Sequence, residues 1–179
     1  MKLKFSIFLI SCLLFIAGIG FAQHASLRNE DALKYVDPYI GSDYHGHVFV
    51  GTNVPYGMIQ LGPSNIHKGW DWCSGYHYSD SILIGFSHTH LSGTGCTDLG
   101  DILIMPLNEI RTPRGNQDDI QGGYASKYSH DNEIVRPEYY SLLVDRYGIK
   151  AELTTTDRVG FHRYTYPEGK PASILIDLR

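Results

Sequence analysis

The stretch Tyr139-Tyr140-Ser141-Leu142-Leu143-Val144-Asp145-Arg146-Tyr147-Gly148-Ile149-Lys150-Ala151-Glu152-Leu153-Thr154-Thr155 decides the fold class. In its second arm Ile149, Ala151, Leu153 and Thr155 alternate with Lys150, Glu152 and Thr154. That period of two sets one face of a strand against a core and the other in water. Arg146-Tyr147-Gly148 is a tight connection with glycine where a positive φ is cheap. Strands over Tyr139–Asp145 and Ile149–Thr155 therefore form an antiparallel hairpin. Val159, Phe161 and Arg163 alternate with Gly160, His162 and Tyr164 to give a further strand, and Ser173–Leu178 is another apolar run. Upstream, Ser81–Phe86 and Asp101–Leu107 are short and rich in branched residues. No segment carries about twelve residues of helical periodicity with caps, so the predicted fold is all-β, two antiparallel sheets packed as a sandwich.

The 179 residues are 42% apolar and 19% charged, which excludes a disordered or collagen-like chain. Lys2 and Lys4 precede an uncharged apolar stretch, Phe5–Phe21, and Gly20-Phe21-Ala22 places small residues where a signal peptidase reads. Residues 1–22 thus read as a signal peptide, 23–35 as a leader and 36–179 as the sandwich, with no transmembrane segment after cleavage. An uncleaved anchor and a lipoprotein signal at Cys12 fit the pattern less well. A periplasmic or secreted location follows. Removing Lys2 and Lys4 takes the net charge from −4 to −6, which leaves no basic footprint for a nucleic acid. The final run stops one residue before the end at Arg179. It reads as part of a longer polypeptide, or alternatively as the closing strand of a small complete domain.

The first half differs in kind. Six of the nine histidines fall between His45 and His90, among glycines and aromatics. Such loops let backbone approach a ligand closely while rings supply flat apolar faces. His45 and His47 share a one-residue spacing with His88 and His90, and alternate residues of an extended segment point the same way, so each pair is a two-ligand set for zinc. No Cys-x-x-Cys or His-Glu-x-x-His frame accompanies them. Histidines bonded to turn backbone, or contacting a sugar or other polyol, are the other readings. Trp70 and Trp72 flank Asp71, which suits either lid packing or a sugar whose C–H face stacks on an indole while a carboxylate takes its hydroxyls. Asp71, Asp98 and Asp101 are candidates for turn caps or for the carboxylate pair of a glycosidase. Cys73 and Cys96 are a disulfide or two free thiols.

The words Val36-Asp37-Pro38-Tyr39-Ile40-Gly41, His45-Gly46-His47, Val54-Pro55-Tyr56-Gly57-Met58, Gly69-Trp70-Asp71-Trp72-Cys73-Ser74-Gly75-Tyr76-His77-Tyr78 and Phe86-Ser87-His88-Thr89-His90-Leu91-Ser92-Gly93-Thr94-Gly95-Cys96, then Asp98-Leu99-Gly100-Asp101, are long, unusual and ordered. From about Asp37 onward the chain resembles the amino-terminal domain of glycoside hydrolase family 92. Members of that family are secreted or periplasmic, calcium-dependent, inverting exo-α-mannosidases that trim mannose-containing glycans. In them a β-sandwich precedes a helical linker and a catalytic α/α barrel, with the active site at their interface. The resemblance implies that His45, His47 and the loop Trp70, Asp71, Trp72, Cys73, Tyr76 and His77 form the sandwich's side of the mannose pocket. An indole from Trp70 or Trp72 would touch the sugar beyond the cleaved bond, with Cys73 as a free thiol beside it. The catalytic acid and base and most calcium ligands would lie in the barrel, so no residue here is assigned as catalytic or metal-binding. Asp43-Tyr44 stands before His45 where many relatives have glycines, which narrows the loop. The runner-up reading is a stand-alone secreted carbohydrate-binding module.

Overall fold

The computed structural model describes residues 32–97 and 99–178. The expected signal peptide, most of the leader, Asp98 and Arg179 lie outside the described residues. Residues up to Val36 form a unit of their own, whose described part holds one 3-10 turn, Leu33–Tyr35. Among the described residues no helix is long and apolar enough to cross a membrane.

From Asp37 on, nine strands appear among the described residues: β1 Gly62–Asn65, β2 Ile82–Ser87, β3 Leu103–Leu107, β4 Ser126–Lys127, β5 Glu133–Arg136, β6 Tyr139–Val144, β7 Ile149–Thr155, β8 Gly160–Thr165 and β9 Ser173–Asp177. One sheet runs β1-β2-β3-β9, with β4 on β2, and the other runs β5-β6-β7-β8. Every pairing is antiparallel. The fold is the predicted all-β one. The β6–β7 hairpin forms as predicted, pairing from Tyr140 opposite Leu153 to Val144 opposite Ile149, and Gly148 turns it with φ of 62°. Three strands had no sequence signal. Gly62-Pro63-Ser64-Asn65 has a turn's composition, yet its four residues are buried against β2, with a register shift at Ser64/Asn65. Pairing by a neighbour overrides local propensity there.

Phe86 of β2 meets Tyr140 of β6 and Tyr164 of β8 at centroid separations of 6.2 and 6.3 Å. Leu61, Leu83, Leu142, Ile149 and Leu153 fill the space around them. This core contains a buried carboxyl group. Glu133 receives the hydroxyls of Tyr140 at 2.7 Å and Tyr76 at 3.1 Å, and His130 Nδ1 stands 2.6 Å away. The other nitrogen of His130 donates to the Tyr78 carbonyl at 2.6 Å. At the far edge of the first sheet, Asp177 of β9 takes hydrogen bonds from Tyr124 (2.6 Å) and Arg114 (3.0 and 3.1 Å). Those two residues belong to the segment that follows β3. Arg146, in the hairpin turn, donates to the carbonyls of Ile120, Gly123 and Ala125 in the same segment.

On the outer face of the second sheet Arg163 and Glu152 are directly opposite and bonded through two N–H groups at 2.7 and 2.8 Å. The Arg163 guanidinium, with Tyr139 OH assisting, pulls the Glu152 carboxyl down to about 2. A depressed carboxyl stabilises the fold above its unfolded pKa, and the contribution is lost as pH falls through the folded one. Carboxyl-observed NMR titration should place Glu152 near that value in the wild type, and clearly higher in Arg163→Ala. Tyr140→Phe and Tyr76→Phe should each destabilise the chain by about 1 to 3 kcal/mol in urea unfolding, because each strips a donor from a buried carboxyl.

Candidate functional site

Two loops, 42–49 and 69–80, bring most of the predicted residues together. A 3-10 turn, Trp70–Trp72, presents Asp71 to both histidines of the first loop. His45 Nδ1 lies 2.6 Å and His47 Nε2 3.3 Å from the same oxygen, Oδ1. The His45 bond, with His47 assisting, holds the Asp71 carboxyl below the usual carboxylate range. Such a group stays ionised at neutral pH and accepts hydrogen bonds without donating any. The Trp70 indole, 58% exposed, stands edge-on to His47 at 4.2 Å and tilted against His45 at 5.6 Å.

The first loop holds this arrangement at some cost. Tyr44 and His47 have φ of 48° and 55°, in the left-handed region that side chains disfavour. Between them a Cβ at Gly46 would lie 2.1 Å from the Gly41 carbonyl oxygen. Only glycine permits that approach.

Trp72 is held differently. Its Nε1–H donates to Asp80 Oδ2 at 2.7 Å, an oxygen shared with Lys68 Nζ at 2.9 Å, and its ring stacks on His77 at 4.3 Å. His77 is buried: its Nε2 donates to the Tyr44 carbonyl, its Nδ1 pairs with Ser79 Oγ, and its backbone N–H donates to Asn65. Cys73 is a buried free thiol donating to the Thr94 carbonyl at 2.8 Å, and burial pushes its pKa up. Cys96 is free and exposed. Tyr76 departs from its expected place. It is 1% exposed, with its hydroxyl on Glu133, so it faces the core and anchors the loop from beneath.

Trp72 and Cys73 also line a cleft of about 320 Å³, together with Ser64, His67, His90 and Arg114. Trp70, Asp71, His45 and His47 do not line it. His88 and His90 diverge. His90 donates from Nδ1 to the Gln60 carbonyl and meets Ser64 Oγ through Nε2, and burial pushes it down to about 4. His88 donates from Nδ1 to the Ile102 carbonyl. The backbone of Asp101 closes a turn with Thr89. Among the described residues no group of three or more His, Cys, Asp or Glu could hold a metal ion. Calcium takes about six to eight oxygen ligands, and no cluster of carboxylates of that kind stands among the described residues. Sequence reasoning also passed over Lys68 and Asp80, which brace Trp72, and Gly95. A Cβ at Gly95 would lie 2.5 Å from Trp70 Nε1, so that glycine makes room for the indole.

Residues 35–179 match the family model described as the glycosyl hydrolase family 92 N-terminal domain. A family 92 α-mannosidase from Bacteroides thetaiotaomicron, solved in complex with mannoimidazole, is 45% identical with a TM-score of 0.78, over 82% of this chain and 19% of that one. An inverting mannosidase of the family from the same species is 26% identical with a TM-score of 0.63, over 81% of this chain and 19% of that one. A protein of Arthroderma benhamiae described as an uncharacterized secreted glycosidase is 30% identical over 172 residues, 90% of this chain and 21% of that protein. The chain therefore spans about a fifth of the length of these relatives. Its sandwich, the order of its motifs and a match running almost from its first described residue to its last together show that the chain belongs to glycoside hydrolase family 92, as an N-terminal domain of that family.

Proposed function

We propose that this chain is the N-terminal sandwich, residues 36–179, of a secreted or periplasmic, calcium-dependent, inverting exo-α-mannosidase, and that it supplies one wall of the sugar pocket. The observation that carries the reading is the ionised Asp71 carboxylate, gripped by His45 and His47 beside the exposed Trp70 indole. A pyranose offers hydroxyls to a carboxylate and imidazoles, and a C–H face to an indole. In this reading His45, Trp70, Asp71 and Trp72 contact sugar, while His47, Cys73 and His77 hold them in place and Tyr76 anchors their loop. The signal-like residues 1–22 support export, and the named activities of the relatives support mannose-containing glycans as substrates.

Inversion needs a protonated carboxylic acid on one side of the glycosidic bond and a base-activated water on the other, with the two carboxyl groups about 6.5 to 9.5 Å apart. Asp71, held ionised by its imidazoles, is suited to accept hydroxyl protons in hydrogen bonds and unsuited to be the acid. The acid and the base are therefore assigned to a catalytic α/α barrel elsewhere in the complete enzyme, together with most of the calcium ligands.

This chain alone, given α-linked mannobiose and calcium, should show no turnover in a mannose-release assay. Turnover abolished by Asp98→Ala or Asp101→Ala would overturn the reading. In the complete enzyme Trp70→Ala and Asp71→Asn should each lower kcat/KM for α-mannosides roughly tenfold, the loss of about 1.4 kcal/mol of binding, with circular dichroism unchanged. Full activity in both variants would remove this loop from the pocket. Tight mannoside binding by the isolated chain, lost in Trp72→Ala, would favour a stand-alone binding module.

A further inference from the structure

Two histidines outside the candidate cluster face each other across the sandwich. His88 follows β2 in the first sheet and His162 lies in β8 of the second, 74 residues apart, with their Nε2 atoms at 3.0 Å. Their ring centroids are 4.8 Å apart and the planes tilted by 40°. Each ring is held from behind by an oxygen. His88 Nδ1 meets the Ile102 carbonyl at 3.1 Å, and His162 Nδ1 meets the Tyr164 hydroxyl at 2.7 Å. A carbonyl only accepts, so the proton of neutral His88 sits on Nδ1 and its Nε2 carries a lone pair aimed at His162. With the pair alone, Tyr164 donates to His162 Nδ1, and His162 Nε2–H donates to His88. In the other tautomer of His162, reached by losing the Nε2 proton to water and gaining one from water at Nδ1, Nδ1–H donates to the phenol oxygen and both Nε2 lone pairs are bare. That is how oxygen partners orient metal-ligating imidazoles.

The spacing agrees with this. With metal–nitrogen bonds of about 2.0 to 2.1 Å, a 3.0 Å separation corresponds to roughly 90 to 97° at a shared cation, and a few tenths of an ångström of opening reaches the tetrahedral angle. Beside the pair is Gly160, where a Cβ would lie 3.1 Å from His88 Nε2 and 2.8 Å from its Cδ2. The glycine lets the β8 backbone pack directly against the imidazole and so fixes where His88 stands.

We propose that His88 and His162 form a two-imidazole site for a borderline divalent transition cation of the Zn²⁺, Ni²⁺ or Cu²⁺ class, with water completing the coordination shell. Imidazole suits these ions and not calcium. Bound there, the cation would join the two sheets beside the loop that carries His90 and Thr94, and would stabilise the fold by mass action.

Titrating the metal-free chain with Zn²⁺ by calorimetry, alongside long-range ¹H–¹⁵N spectra of the imidazoles, tests the site. One saturable Zn²⁺ per chain is expected, with the Nε2 resonances of His88 and His162 moving together and thermal stability rising. His88→Gln and His162→Gln should each abolish that step, and Tyr164→Phe should weaken it about tenfold or more by removing the oxygen behind His162. Zn²⁺ binding that survives both glutamine variants, binding that is instead lost in His45→Gln or His47→Gln, or no saturable binding at all would overturn the proposal.

Discussion

A carboxyl group in an apolar core must be met by hydrogen-bond donors or the fold is penalised by several kcal/mol. Glu133 imposes that condition here. Its partners are Tyr140 from the adjoining strand and, 57 residues away in the chain, Tyr76 from the loop that also carries Trp70, Asp71 and Trp72. His130 reaches from the same carboxyl to the Tyr78 carbonyl, so the loop is gripped on both sides of His77. His77 in turn supports the Trp72 ring. One buried polar group thus ties the irregular half of the molecule to the second sheet, while Asn65 of β1 holds the same loop to the first.

The second sheet was legible because its chemistry is local. In β7 and β8 water takes one face and the core the other, so each residue reports its own environment: Lys150 and Thr154 are exposed between buried Ile149, Ala151, Leu153 and Thr155. Strand β1 was not legible, since glycine, proline, serine and asparagine carry no alternation and only the partner strand makes them extended. The histidines divide the same way. Residues 45 and 47 were read as a pair and do meet, on the Asp71 carboxylate, whereas 88 and 90 point to different partners. That β8 would supply the partner of His88 is a fact of tertiary packing, with no trace in spacing.

The aromatic loop shows a subtler limit. A run in which nearly every second residue is aromatic looks like a single ligand-facing surface. The backbone turns within it, and Trp70 emerges into solvent, Trp72 is pinned by Asp80 and Lys68, and Tyr76 points inward. Family resemblance locates such a loop well, but the share each ring takes between recognition and support depends on partners that sit elsewhere in the chain.

The bonds from Arg114 and Tyr124 to Asp177 have one more consequence. Strand β9 reads Ser173-Ile174-Leu175-Ile176-Asp177, and three consecutive large aliphatic residues give nearly the same hydrophobic score whichever face is turned inward. A slip by one residue against β3 would reverse every side chain, and apolar burial alone would hardly resist it. Asp177 removes that degeneracy, because only the observed alignment, with Asp177 opposite Leu103, delivers its carboxylate to the guanidinium and the phenol. An ionic contact thereby acts as an index mark that tells an otherwise ambiguous strand where to stop.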